Sequence, residues 1–416
     1  MSARASKRVR PYQPRAENDD AEDDAQRQQE QEEEKEEEKE KAEERRLLRQ
    51  LEQRMELRTV RELRVRYAGL DREENAVGRG AGGVVYRVRA RGHEVAVKAV
   101  SVPQTPPFAR AERVRFLAAL LAQIEAVQAA ACAPLGEEEE EEQEAAASGS
   151  ETPQWTLDAR AECALVPYAA LWRTPRWERV YLEMPYAARG DLARWLRDER
   201  PSFARRLALL RANFRPLVST LLRMHERGVL HRDIKPQNLL AVAPPARAEE
   251  EEDEEPLPRL YYADFDAACA LPRCAGSAIV GTNGYADPLL VLGFEGRRAL
   301  PISDTYALGM TLWVVLTDAS PEAVPLRALQ ALARDPRNPE RLRALQSAFR
   351  AFYRERVRPL LQEVVARHLR AQPEDRWALF LQRAVAAMTL PFNEPPRRPA
   401  LRALLRAFER SFGGGA

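Results

Sequence analysis

Lysine and cysteine are scarce in this sequence of 416 residues, and long apolar runs are missing from it. The four cysteines are too few and too scattered for a disulfide framework in a chain of this size, so we expect free thiols in a reducing compartment. No apolar stretch approaches the roughly 20 residues that cross a bilayer, and the N-terminus lacks the apolar core of a secretory signal. We therefore predict an intracellular protein, cytoplasmic or nuclear, that is neither secreted nor transmembrane.

The sequence also lacks an excess of charge of one sign, since 65 basic and 64 acidic residues leave a formal net charge of +1. No global field then favours a nucleic acid or a membrane as partner, and we predict neither.

Local charge is uneven, and the acidic runs cannot form a core. We predict a solvated helical or disordered extension over residues 1–65, a first folded region over 66–187 with an acidic insertion at about 136–153, and a second over 188–412 with an acidic insertion at about 244–258 and extra helices at about 320–377.

A short amphipathic segment ends the charged extension. Its apolar residues follow one another at helical spacing: Leu47, Leu48, Leu51, Met55 and Leu57. We expect this helix either to dock on the folded region that follows or to bind a partner protein.

A glycine-rich turn lies between two stretches in which apolar and polar residues alternate, as in strands. Gly78, Gly80 and Gly83 would let backbone amides approach phosphate oxygens without obstruction by side chains. The next strand, Val95 to Lys98, carries one lysine. This pattern favours a cradle for the phosphates of a nucleotide.

The stretch from Leu230 to Leu240 combines three kinds of polar group within one loop. Asp233 is a candidate base, Lys235 a cation, and Asn238 an amide able to bind a metal ion. Apolar residues anchor both ends of the loop. These groups are those required for phosphoryl transfer.

These motifs occur in the order found in the eukaryotic-type protein kinase family, together with Asp264-Phe265-Asp266 and Gly281 to Pro288. From about residue 70 to residue 410 the chain resembles a divergent member of that family, a Ser/Thr protein kinase. Its Ala/Arg bias suggests a GC-rich genome, and its substituted motifs would suit a large DNA virus as well as a cell. The resemblance implies an α+β, bilobal fold, with a small antiparallel β-sheet and one main helix in the N-lobe and a mostly helical C-lobe.

The resemblance also implies the roles of individual residues. Asp233 would orient or deprotonate the acceptor hydroxyl, Lys235 would contact the transferring phosphate, and Lys98 would bind ATP phosphates. Thr282 indicates a Ser/Thr hydroxyl of a protein substrate as acceptor. Asn238 and Asp264 would bind Mg²⁺, and the residues around ATP would be Gly78, Gly80, Gly83, Val85, Ala96, Lys98, Met184, Pro185, Ala187, Asp191 and Leu240.

The scarcity of lysine supports two of these assignments. After residue 41 the chain has only two lysines, Lys98 and Lys235, although arginine is abundant there. Arginine cannot simply replace a compact ammonium group at a phosphate site. The two positions that kept lysine are therefore the two at which the resemblance requires it.

Three departures from the family pattern motivate the alternative of a pseudokinase scaffold, which binds nucleotide or a protein partner without efficient catalysis. Asp266 replaces a glycine after Asp264, which adds charge beside the metal site. Leu289 replaces the glutamate that would pair with Arg398, so we expect that buried ion pair to be missing. The acidic partner of Lys98 is open between Glu112 and Glu125, with Gln123 in its place as a third possibility. A kinase-like enzyme acting on a small molecule is a further alternative.

Overall fold

The structure is a computed structural model of the whole chain. It describes residues 17–80, 83–90, 93–104, 110–130, 163–166, 168–243, 256–270, 281–288, 300–321, 339–391 and 398–412. A β-sheet with one long helix packed on it comes first, and a mostly helical part follows. The predicted α+β, bilobal fold is confirmed in this respect.

The sheet has six strands in the order β1-β5-β6-β4-β3-β2. All neighbours are antiparallel except β1 and β5, which are parallel and so differ from the prediction of an antiparallel sheet. The central strands β4 and β6 are rich in buried valine, tyrosine and leucine, residue types that fit a pleated surface. The strands are β1 Glu56–Leu57, β2 Ala76–Gly80, β3 Gly83–Ala90, β4 His93–Ser101, β5 Ala170–Arg173 and β6 Arg179–Pro185.

Helix α1 (Glu17–Glu52) packs along helix α3 (Arg110–Ala130), the long helix of the sheet region. Leu47, Leu51 and Met55 are buried in a cluster with α3 and the sheet, which confirms that the amphipathic segment docks on the fold. Leu57 lies in β1 and is 52% exposed, so its predicted place on the same apolar face is wrong. The short helix α2 (Val60–Arg66) begins with a capping box formed by Thr59 and Glu62.

The second part is mostly helical, with short strands beside the cleft. Its helices are α4 Leu192–Glu199, α5 Phe203–Glu226, α6 Pro301–Thr317, α7 Pro339–Phe352, α8 Arg358–Leu369, α9 Arg376–Met388 and α10 Leu401–Phe412, with a π-helical turn Tyr353–Val357 between α7 and α8. The strands β7 (Val229–Leu230) and β10 (Cys269–Ala270) pair, as do β8 (Leu239–Val242) and β9 (Arg259–Tyr262). One core of leucine, valine and aromatic side chains joins these elements.

Several predictions concern residues that the structure does not describe. Most of the two acidic insertions and the first part of the predicted extra helices, up to residue 338, lie outside the described residues. Residues 339–369 are helical. The expectation of free thiols is wrong for Cys269, which is disulfide-bonded. Within the described ranges we find no helix long and apolar enough to cross a membrane.

Candidate active site

A cleft of about 650 Å³ lies between the sheet and the helical part. Its size is in the range of small-molecule sites. All the residues predicted to bind ATP, metal or the acceptor line it except Gly80, which lies at the end of β2 opposite Gly83. The lining residues that were predicted are Gly78, Gly83, Val85, Ala96, Lys98, Met184, Pro185, Ala187, Asp191, Asp233, Lys235, Asn238, Leu240 and Asp264.

The roof of the cleft is the hairpin of β2 and β3. Gly83 has φ +119°, and a Cβ atom there would lie 2.3 Å from the carbonyl oxygen of Ala99 in β4. Only glycine can occupy that position, because any side chain would clash with the neighbouring backbone. Strand β3 therefore approaches the backbone of β4 closely at Gly83, and Val85 lies opposite Lys98.

Lys98 lies in the middle of β4, between Val85 of β3 and Leu182 of β6. It is only 8% exposed, so its ammonium group requires charged partners. Its Nζ atom donates to Asp264 Oδ1 at 3.0 Å and to Asp266 Oδ1 at 2.6 Å. Burial lowers the pKa of Lys98, but the charges of the two aspartates more than offset that effect and leave its pKa raised.

Gln123 of α3 completes this cluster. Its Nε2 atom donates to Asp266 Oδ1 at 3.1 Å and to the hydroxyl oxygen of Tyr168 at 2.6 Å. In the described part of the chain Lys98 thus pairs with aspartates, and none of the three residues left open from the sequence, Glu112, Glu125 and Gln123, pairs with it. Glu125 instead pairs with Arg54, close to the end of α1, at 3.2 Å.

The two aspartates of the cluster differ in pKa. Burial raises the pKa of Asp266, Lys98 lowers it and the neighbouring Asp264 raises it, so that its pKa ends above the ordinary value. For Asp264, burial is outweighed by the charge and hydrogen bond of Lys98, and its pKa is lowered. Asp264 is therefore the carboxylate held most firmly in its charged form.

The floor of the cleft is the loop between β7 and β8. Asp233 Oδ2 accepts from Lys235 Nζ at 2.8 Å and from Asn238 Nδ2 at 3.0 Å. Its Oδ1 accepts from Thr282 Oγ1 at 2.7 Å, and Lys235 Nζ also donates to Thr282 Oγ1 at 2.7 Å. One carboxylate is thus held by three side chains from two segments of the chain.

Asp304 of α6 supports this loop from below. Its two carboxylate oxygens accept from the backbone N–H of His231 at 2.9 Å and of Arg232 at 2.8 Å, and His225 Nε2 lies 2.9 Å from one of them. These contacts hold Arg232 at φ +67°, a conformation that a residue with a side chain seldom adopts. Asp304 thereby fixes the backbone that carries Asp233.

The rear of the cleft is the edge of β6 and the segment that follows. Ala96 of β4 lies opposite Met184, and Val95 lies opposite Pro185. Pro185 has no N–H but keeps its carbonyl, and Ala187, which also lines the cleft, has a backbone N–H that can donate. Asp191 follows as the N-cap of α4, where its Oδ1 accepts from the backbone N–H of Arg194.

A buried ion pair lies beyond the loop that carries Thr282. Arg398 donates to both carboxylate oxygens of Asp287. The prediction that this arginine lacks an acidic partner is therefore wrong. The carboxylate comes from a position two residues earlier than the one at which the family pattern has its glutamate.

Sequence reasoning missed three contributors to the site. Tyr168, Val166 and Phe265 line the cleft; no motif marked the first two, and Phe265 was quoted within a motif but given no role. Asp266 was noted only as a departure, although a charged residue beside a buried lysine signals an ion pair. Phe265 is buried and its ring lies 4.7 Å from that of His231, which fixes the turn of Asp266 against the floor.

Comparisons with known proteins agree with this geometry. Residues 139–388 match the protein kinase domain family. Similar proteins include the serine/threonine-protein kinase Pkn1 of Myxococcus xanthus, 31% identical over 160 residues, which are 37% of this chain and 20% of that protein. Aurora kinase B of Mus musculus is 28% identical over 148 residues, 36% of this chain and 37% of that protein.

CBL-interacting protein kinase 30 of Oryza sativa subsp. japonica is 32% identical over 149 residues, 34% of this chain and 27% of that protein. The matched segments thus span between 20% and 37% of the length of these relatives. The family match begins after Lys98, so the arrangement of the glycine hairpin and of that lysine rests on the structure.

Proposed function

This chain belongs to the protein kinase family, and from that premise we propose that it transfers the γ-phosphate of ATP to serine or threonine hydroxyls of protein substrates. The observation that carries the proposal is the network of Asp233, Lys235, Asn238 and Thr282 on the floor of the cleft. A carboxylate held by three donors keeps one orientation, as the base for an acceptor hydroxyl must.

Each member of the network has a defined task in this proposal. Asp233 orients the acceptor hydroxyl and takes its proton as the oxygen attacks the γ-phosphorus of ATP, whose bond to the bridging oxygen breaks so that ADP leaves. Lys235 places its ammonium group beside that carboxylate, where negative charge develops on the transferring phosphate. Thr282 bridges Asp233 and Lys235 and so fixes the distance between the base and the cation.

The residues present fit a magnesium ion between the floor and Lys98. Asp264 has a side chain that is 45% exposed and lines the cleft, and Asn238 lines it nearby. Asn238 uses its Nδ2 atom toward Asp233, which leaves its amide oxygen as an acceptor. Carboxylate and amide oxygens are ligands that Mg²⁺ accepts, and the ion would neutralise charge on the nucleotide phosphates.

The nucleotide would lie between the glycine hairpin and Leu240. Val85, Ala96 and Leu240 supply apolar walls for the base, and the backbone of Pro185 and Ala187 supplies an acceptor and a donor at its edge. Lys98 would bind the phosphates from β4. The sequence features that motivated a non-catalytic scaffold are compatible with transfer, since Asp266 supplies a carboxylate to Lys98 and Asp287 supplies one to Arg398.

A serine or threonine acceptor is supported by Thr282 and by the names of the relatives, which include a serine/threonine-protein kinase. Analysis of the phosphorylated amino acids in the product distinguishes serine and threonine from tyrosine.

The test is a transfer assay with the purified full chain, radiolabelled ATP, Mg²⁺, and one basic and one acidic generic protein substrate. We expect label on serine or threonine from the wild type, and a loss of at least about 100-fold in Asp233→Asn, which removes the base. Lys98→Met should lose transfer as well. Chelation of Mg²⁺ by EDTA should abolish it.

Matched controls use exposed residues of the same types. Lys41→Met and Asp198→Asn change side chains that are 41% and 51% exposed and do not line the cleft, so transfer should stay at the wild-type level. If the wild type transfers no more label than Asp233→Asn while still binding ATP, the scaffold function replaces the proposed one.

A further inference from the structure

We propose that Asp266 is the residue that positions Lys98, and that Gln123 holds Asp266 in place, so that the carboxylate for the nucleotide lysine comes from the turn after Asp264 and not from α3. This inference rests on the proposed function and extends it to the way in which Lys98 is held. It explains two departures from the family pattern together: α3 has no glutamate for Lys98, and Asp266 supplies the carboxylate in its place.

The first argument is geometric. Lys98 Nζ is closer to Asp266 Oδ1, at 2.6 Å, than to Asp264 Oδ1, at 3.0 Å. Asp264 is the carboxylate assigned to the proposed metal ion, so Asp266 is the carboxylate that remains for the lysine. A buried ammonium group requires a carboxylate beside it, and Asp266 supplies one when Asp264 binds the ion.

The second argument concerns α3. Gln123 is 4% exposed, and its Nε2 atom donates to the same Oδ1 atom that accepts from Lys98. A glutamate at position 123 would place a second negative charge against Asp266, whereas the amide donates a hydrogen bond to it. Gln123 and Asp266 are thus complementary. Asp266 would be repelled by a glutamate at position 123, and with a glycine at position 266 the amide of Gln123 would lose this acceptor.

The third argument concerns the backbone. Asp266 lies in a right-handed 3-10 turn, Phe265–Ala267, and the left-handed conformation in this segment belongs to Asp264, with φ +60°. A side chain at residue 266 therefore costs no backbone strain. The turn packs against α3, so the position of that helix and the position of the carboxylate are set together.

A double-mutant cycle tests the relocation. Asp266→Gly removes the carboxylate and should lower kcat/KM for ATP by about 10- to 100-fold, the effect of losing a charged hydrogen bond. Gln123→Glu alone sets two carboxylates side by side and should also lower it. The double variant Gln123→Glu, Asp266→Gly places the carboxylate on α3, close to where Asp266 Oδ1 lies in the wild type. It should recover most of the wild-type kcat/KM for ATP.

Asp266→Asn is the companion variant that keeps the size of the side chain. It should retain the melting temperature better than Asp266→Gly and still lose activity, which separates the effect of charge from that of folding. If the double variant is no better than the product of the two single effects, or if Asp266→Gly is as active as the wild type, Asp266 does not position Lys98.

A second measurement does not depend on activity. Lys98 and Lys235 are the only lysines after residue 41, so acylation of each by an amine reagent can be followed by mass spectrometry in one sample. Lys98 should react several-fold faster in Asp266→Gly and return toward the slow wild-type rate in the double variant. Lys235, held by Asp233 and Thr282, serves as the internal control.

The two measurements separate the inference from the function on which it rests. If the wild type transfers no phosphate, the proposed function fails and the labelling of Lys98 alone decides the inference. An unchanged rate of Lys98 acylation in Asp266→Gly would overturn it whatever the activity.

Discussion

Arg398 and Asp287 form a bidentate ion pair in which both side chains are fully buried. Arg398 Nη1 donates to Asp287 Oδ2 at 2.6 Å, and Nη2 donates to Oδ1 at 2.7 Å. The guanidinium also lies 4.7 Å from the ring centre of Tyr306 in α6. The pair thus joins the loop after Thr282 to the segment before α10 and to the central helix of the second part.

Removing one half of this pair should destabilise the protein strongly. Asp287→Ala leaves a guanidinium group buried without its carboxylate, and we expect a loss of about 3–5 kcal/mol in the free energy of unfolding. Denaturant unfolding followed by circular dichroism measures it. Asp198→Ala breaks an exposed pair with Arg194 and should cost at most about 1 kcal/mol; equal losses in the two variants would show that burial of the pair is unimportant.

The contact of α1 with α3 should contribute measurably to stability. Leu51 is fully buried between α3 and the sheet, and Leu51→Ala should cost about 2–5 kcal/mol through lost burial and the cavity it leaves. Leu57→Ala, which truncates a leucine that is 52% exposed, is the control and should change the melting temperature little. A small effect of Leu51→Ala would mean that α1 detaches easily from the fold.

The hydroxyl of Thr282 should matter for transfer more than its methyl group. Thr282→Val removes the bridge between Asp233 and Lys235 and should lower kcat by about 10- to 100-fold, the scale of hydrogen bonds to charged groups. Thr282→Ser keeps the hydroxyl and should stay within about threefold of the wild type. Steady-state kinetics on one protein substrate compare them; similar losses in both variants would argue for packing instead.

Asp304 should make the fold sensitive to acid. Burial raises its pKa, but the hydrogen bond and charge of His225, the charge of His231 and the backbone N–H of His231 outweigh burial, so the pKa is lowered. A carboxyl group with a lower pKa in the folded state stabilises the fold fully above its unfolded pKa, and this contribution disappears as the pH falls through the folded value.

The variant that tests this is Asp304→Asn. Its deficit in unfolding free energy relative to the wild type should be full at pH 7 and should shrink below about pH 4. Urea unfolding at several pH values measures the difference. A deficit that stays constant across this range would mean that the charge of Asp304 contributes nothing and that only its shape matters.

Much of the site is local in sequence, and that part was predictable. The loop from Leu230 to Leu240 brings Asp233, Lys235 and Asn238 together within six residues, so their contacts follow from the loop itself. The glycine hairpin and the strand of Lys98 have the alternation of apolar and polar residues that is typical of strands. The scarcity of lysine after residue 41 singles out Lys98 and Lys235 as candidate site residues. The roles assigned to these residues stay proposals until the transfer assay is done.

What the sequence determined by itself is the set of elements and the identity of the groups on the local loops, because backbone propensity, period and short-range spacing act over a few residues. Only the tertiary structure decided which carboxylate meets each buried cation. Asp266 reaches Lys98 across 168 positions and Asp287 reaches Arg398 across 111. A buried ion pair requires only that the two charged groups lie in contact in the folded protein, so the carboxylate can come from a segment distant in sequence. Tertiary packing decides which segment supplies it.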